Sequence, residues 1–229
     1  MKWLFDFLFK SSVGRKVVMS LSGLFLILFL IIHLLGNLQL LSEDGGMSFN
    51  VYTYFMTHNP VIKIISYLLY ATILIHSVQG ILLAIENKKA KGQTYTVKSS
   101  VSKSYFGRYM LHLGVIIFIF LMIHLYQFWL QMKLGKLPLV QYPGKDHMYI
   151  DLYTPVVYAF KDIGYVLFYI VSMIILALHL WHGFASAFQT IGMNHKKYNS
   201  LIQWVGIIYS ILIPIGFTIL PVYIYFIQS

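Results

Sequence analysis

Residues 17–41 read VVMSLSGLFLILFLIIHLLGNLQLL, and this stretch decides the class of fold. It contains no Asp, Glu, Lys or Arg. A bilayer core takes about 20 helical residues to cross, and this run is longer. In lipid a chain must satisfy its own backbone N–H and C=O groups, so a run of this kind reads as a helix. Its length, and the lack of a small-x-small site after it, argue against a cleaved signal peptide. Ahead of it lies KWLFDFLFK at 2–10, aromatic and amphipathic. We expect residues 1–16 to form an interfacial N-terminal segment.

Four further apolar stretches follow at 61–86, 108–131, 158–188 and 201–227. The chain therefore reads as an all-α integral membrane protein with five transmembrane helices. Composition agrees: of 229 residues 59% are hydrophobic and 10% charged, whereas a soluble domain carries about a quarter charged residues. No internal repeat or low-complexity linker divides the sequence, so residues 1–229 read as one domain. Prolines lie at the edges of spans two and four, while Pro214 and Pro221 are expected to kink span five. The chain has no cysteine, which excludes a disulfide framework, thiolate metal ligation, an iron–sulfur cluster and a thioether-linked haem.

The formal charge of +10 follows topology. Lys2, Lys10, Arg15, Lys16, Lys88, Lys89, Lys91, Lys98, Lys103, Arg108, Lys196 and Lys197 fall on one side. Lys63, Lys133, Lys136, Lys145 and Lys161 fall on the other, diluted by Glu43, Asp44, Asp146, Asp151 and Asp162. Twelve against five predicts a cytoplasmic N-terminus and an outer C-terminus, with the basic excess facing acidic lipid. The basic residues form no aromatic-interleaved face, so no nucleic-acid role is expected.

Ionisable groups inside a membrane are costly and tend to face a bundle interior with a task. Here they are histidines: His33 in span one, His76 in span two, His124 in span three, and His179 and His182 in span four, with His112 in the inner half of span three. His33 and His124 each lie nine residues before a polar outer end, Ser42 and Lys133. At about 1.5 Å per residue, both sit about 13 Å below that boundary. His76 and His179 each lie ten residues before an inner end, Glu86 and Gln189. The four thus fall into two depth-matched pairs.

Two imidazoles at one depth on different helices can hold one haem iron from both sides. A lone membrane histidine more often makes a helix-to-helix hydrogen bond. Four of them, one per helix and matched in depth, read as ligands of two haems. Gly80 and Gly183 each follow a histidine by one turn and suit close approach of a flat ring, or simple helix packing. Gly36, three residues after His33, suits the same use. His112 and His182 fit an inner haem edge or the polar boundary better than iron.

These histidines, with Ser20-Leu21-Ser22-Gly23, His76-Ser77-Val78-Gln79-Gly80 and His179-Leu180-Trp181-His182-Gly183, resemble the dihaem cytochrome b membrane anchor of the succinate dehydrogenase and fumarate reductase family. The resemblance implies two haem b groups, His76 with His179 inside and His33 with His124 outside. It implies a flavoprotein (FAD) subunit and an iron–sulfur subunit on the cytoplasmic side of a bacterial inner membrane. The chain would be a non-catalytic electron-transfer subunit, exchanging electrons with menaquinone. Ser20, Gly23, Arg15, Arg108, His112 and His182 are then candidate contacts to the cofactor, with the two arginines equally suited to anchoring at a positive inner boundary. Some family members carry a glutamate two residues before the fourth-helix ligand for proton movement, and this chain has Ala177 there. His58, Glu43 and Asp44 are candidate proton carriers in the first outer loop, where a solvated loop is the plainer reading. The outer helix faces suit lipid or a dimer of the complex. Two other readings stand beside this one: the cytochrome b anchor of a formate dehydrogenase or hydrogenase, and a haem-free transporter or proton channel with a histidine relay.

Overall fold

The computed structural model describes residues 2–90, 109–193 and 195–228. The chain is an all-α membrane protein with five helices long and apolar enough to cross a bilayer. Helix α1 (Lys2–Lys10) turns at Ser11 into α2 (Ser12–Asn37). Ser11 caps α2, its hydroxyl accepting from Gly14 N at 2.9 Å. Gly14 is required here, because a Cβ would overlap the Phe7 backbone. After a 3₁₀ turn (Leu38–Leu41), α3 (Met47–His58) and α4 (Pro60–Ala90) follow. Gly45 and Gly46 enter α3 with φ of 65° and 85°, a region that favours glycine.

Helix α5 (Met110–His124) passes into a π-helical segment (Leu125–Leu130) and a last turn, α6 (Gln131–Lys133). A two-stranded antiparallel hairpin, β1 (Leu139–Gln141) and β2 (Met148–Ile150), pairs Val140 with Tyr149. Then come α7 (Tyr153–Ala159), α8 (Ile163–Thr190) and α9 (Lys196–Ile227).

The stretch expected as one span from 158 to 188 is thus two helices. Asp162 breaks it by accepting from Tyr165 N at 2.8 Å, an N-cap that starts α8 afresh. Helix α9 continues through Pro214 and Pro221, both buried inside it. Neither proline has an N–H to donate, so each frees a carbonyl one turn earlier.

Helices α2, α4, α5 and α8 form a closed ring, each packed against the next, and α9 lies outside on α8 and α2. Tyr209 of α9 ties to α2 by donating to Ile27 O at 2.6 Å. Trp129 ties the third span to α4 by donating to Tyr70 Oη at 2.8 Å. The buried apolar cluster lies at the end of the bundle that carries the 3₁₀ turn, the hairpin and α7: Leu40, Phe49, Phe128, Val156, Phe160, Val166, Tyr169, Leu220 and Ile224. Elsewhere large apolar side chains point outward, among them Leu28 and Leu35 on α2, Ile64 and Leu68 on α4, and Ile116 and Ile119 on α5. Water would make such a surface a liability, and hydrocarbon makes it the natural one.

One buried polar residue fastens the outer segments. Asn50 is 1% exposed; it donates to Tyr142 Oη at 2.8 Å and Asp151 Oδ1 at 3.1 Å, and accepts from Leu152 N and Tyr153 N, both at 3.1 Å. A single amide thereby joins α3 to the hairpin and to the start of α7.

Candidate functional site

Each helix of the ring carries one of the four depth-matched histidines. The structure brings them together as the depth count pairs them. His76 of α4 and His179 of α8 have ring centres 6.4 Å apart, with planes at 68°. His33 of α2 and His124 of α5 have ring centres 5.9 Å apart, at 85°. Two imidazoles binding one metal from opposite sides, with bonds of about 2 Å, put their ring centres about 6 Å apart. Both pairs meet that spacing.

The Nδ1 atoms of the four rings are held differently. His76 Nδ1 lies 3.1 Å from Ser22 Oγ, whose own proton goes to Met19 O at 2.9 Å. A hydroxyl has one proton, so Ser22 accepts from His76 Nδ1–H and leaves Nε2 bare. His124 Nδ1 lies 3.0 Å from Tyr169 Oη. Asn37 donates to His33 O at 2.7 Å and stands 3.4 Å from His33 Nδ1, at the edge of hydrogen bonding. His179 Nδ1 is buried with no hydrogen-bond partner among the described residues. An orphaned buried nitrogen costs free energy unless another group compensates.

Glycines flank the inner pair. A Cβ at Gly23 would stand 3.3 Å from His76 Cε1, and one at Gly114 3.6 Å from His179 Cε1. A Cβ at Gly80 would stand 3.5 Å from Met19 Cε, and one at Gly183 3.9 Å from Met110 Cε. Methionine is the most adaptable apolar side chain, so what lies against those two glycines is easily moved. Gly36 serves differently from the expectation. A Cβ there would overlap the Tyr52 ring, so the close approach is to α3 and leaves no slot for a cofactor.

The outer pair sits among rings. Phe29 stacks on His33 at 5.2 Å, Phe120 on His124 at 5.8 Å, and Phe128 and Phe217 stand 5.5 Å from His124 and His33 respectively. Such walls keep water from the imidazoles.

Ser20 is buried on α2. Arg15 pairs with Glu86 across α2 and α4, approaches Lys10 O at 3.4 Å, and keeps a buried Nε with no partner. His182 is half-buried one turn from His179, and His112 is exposed, its ring 6.1 Å from that of Tyr109. Arg108 lies outside the described residues, as do Lys91, Lys98 and Lys103. Asp44 is engaged at the start of α3, accepting from Ser48 N at 2.8 Å, Ser48 Oγ at 2.5 Å and Gly46 N at 3.1 Å. Burial alone would raise its pKa, but these bonds outweigh burial and hold the carboxyl below the usual range. Glu43 is exposed, and His58 stacks on Tyr54 at 3.9 Å.

Reading the sequence missed Ser22, Gly114 and Tyr169, because each touches a histidine only across a helix–helix contact. It also missed the π segment that begins one residue after His124, a rare geometry frequent at functional sites. An open cleft of about 680 Å³ lies beside the break between α7 and α8, lined by Gln127, Tyr158, Lys161, Asp162, Tyr165 and Phe168. In comparisons with known proteins, no family model, curated protein or solved structure matches the chain.

Proposed function

We propose that this chain is the dihaem cytochrome b anchor of a succinate:quinone oxidoreductase, set in a bacterial inner membrane with its N-terminus in the cytoplasm. The observation that carries the reading is the pair of imidazole couples, 6.4 Å and 5.9 Å between ring centres, on four helices of one ring. His76 and His179 would hold the inner haem, His33 and His124 the outer. Each bound haem b supplies a one-electron carrier, and two at different depths supply a route across the bilayer.

The protein's own part is to hold and to exclude. Ser22 keeps the His76 proton on Nδ1, so that Nε2 stays free to ligate. Phe29, Phe120, Phe128 and Phe217 keep water from the outer imidazoles. Gly23 and Gly114 keep side-chain bulk away from the inner pair. Arg15, with one buried donor unspent, and Ser20 are suited to a carboxylate at the inner boundary.

The flavin and the iron–sulfur clusters belong to partner subunits, since this chain has no thiolate to hold a cluster. Menaquinone would exchange electrons on the outer side. The cleft beside Gln127 and Tyr165 is open, offers hydrogen-bonding groups and leads toward His124 through Tyr169. Ala177 offers no carboxylate for proton movement along α8.

Haem analysis of the purified protein tests this. Two haems per chain are expected by pyridine haemochrome. His33→Ala and His124→Ala should each lose the same one, and His76→Ala and His179→Ala the other. A chain with no Soret absorption, or single variants that still hold two haems, would refute the assignment. For the partners, succinate should reduce the haems of the intact complex. Reduction by formate or hydrogen instead would make the chain the anchor of a different respiratory enzyme.

A further inference from the structure

The outer histidine of α5 is the end of a chain of hydroxyls. Tyr165 donates to Gln127 Oε1, and the oxygens of Tyr165 and Tyr169 are 3.3 Å apart. Tyr169 Oη is in turn 3.0 Å from His124 Nδ1. Proton accounting sets the direction. A phenol has one proton and an amide oxygen has none. With the Tyr165 proton on Gln127, the proton between the two tyrosines comes from Tyr169. With its proton turned to Tyr165, Tyr169 has only lone pairs to offer His124, which then carries its proton on Nδ1 and leaves Nε2 bare.

We infer that Tyr169 is a positioning residue for His124: by accepting the Nδ1 proton it fixes the ligating tautomer and lowers the reduction potential of an iron bound between His33 and His124. The inference rests on the proposed function and goes beyond it. An imidazole that donates from its far nitrogen is a more basic ligand, which favours oxidised metal. The inner pair is built differently, with Ser22 on His76 and an unpartnered Nδ1 on His179. The two sites can therefore be tuned apart.

Tyr169→Phe removes the hydroxyl and keeps the ring that packs against Phe120 at 5.0 Å and Phe160 at 4.9 Å. Potentiometric titration of the purified protein, with haem content measured on the same sample, reads the outcome. Two haems should remain. One component should rise in potential by ~59 mV for one electron, about a tenfold fall in its oxidised-to-reduced ratio at a fixed potential, and the other should stay in place. Ser22→Ala should move the other component. Gln127→Leu cuts the far end of the chain and should move the same component as Tyr169→Phe, by less; it serves as the test if Tyr169→Phe does not fold. Two haems with unmoved potentials in both Tyr169→Phe and Gln127→Leu would overturn this inference alone, as would Ser22→Ala moving that same component. A wild-type protein without haem would overturn the proposed function and this inference together.

Discussion

Replacing Asn50 with alanine should loosen the outer segments without disturbing the spans. The change removes four hydrogen bonds at once. Tyr142 carries a hydroxyl that can turn to water, and Asp151 Oδ1 keeps Thr154 N at 3.1 Å, so those two losses are small. Leu152 N keeps Ile150 O at 3.1 Å, so the cost falls on Tyr153 N, which loses its acceptor. An unsatisfied buried donor costs about 1–3 kcal/mol; Tyr153 is only half-buried, so about 1–2 kcal/mol. At 1.4 kcal/mol per tenfold, local opening should increase about 5- to 30-fold. Amide hydrogen exchange in lipid nanodiscs, read on peptides covering residues 139–153, measures this directly. Protection there should fall by that factor while α2 and α8 keep theirs. A change below about threefold would refute the hydrogen-bond account. A loss spread evenly over the spans would show that Asn50 supports the whole bundle rather than its outer end.

Two further outcomes follow from the same geometry. Gly23→Leu puts a branched side chain where a Cβ already stands 3.3 Å from His76 Cε1, and haem content should fall from two to one; the haem retained should be the one that His124→Ala removes. Asp44 has a depressed folded pKa, so its support of α3 is present above the unfolded carboxylate value of about 3.9 and is lost as pH falls through the lower folded value. Exchange protection of the Ser48 amide, corrected for intrinsic rate, should hold down to about pH 4 and drop below it, and Asp44→Asn should abolish that dependence.

The five spans and the two histidine depths were legible because both are matters of counting along apolar runs with polar ends. His33 with His124, and His76 with His179, needed only a rise per residue and a direction for each helix. What surrounds the histidines was not legible. Ser22 meets His76 from another helix, Tyr169 meets His124 from another, and no spacing along one segment encodes such a contact. The break before α8 was passed over because apolar residues lie on both sides of the short charged pair Lys161-Asp162, of which Asp162 does the capping. Gly36 misled for the opposite reason. Its spacing from His33 suits a cofactor, yet the ring of Tyr52, on the next helix α3, takes the space. The π segment has no compositional sign at all.

The placement of α9 has a consequence for traffic. It screens the ring along α8 and α2, and among the described residues the flank opposite it is the one formed by α4 and α5. That flank carries Leu74, Ile75, Ile116 and Ile119 toward the acyl chains. Any broad, greasy molecule entering sideways from the bilayer has a shorter journey there, crossing one wall instead of two.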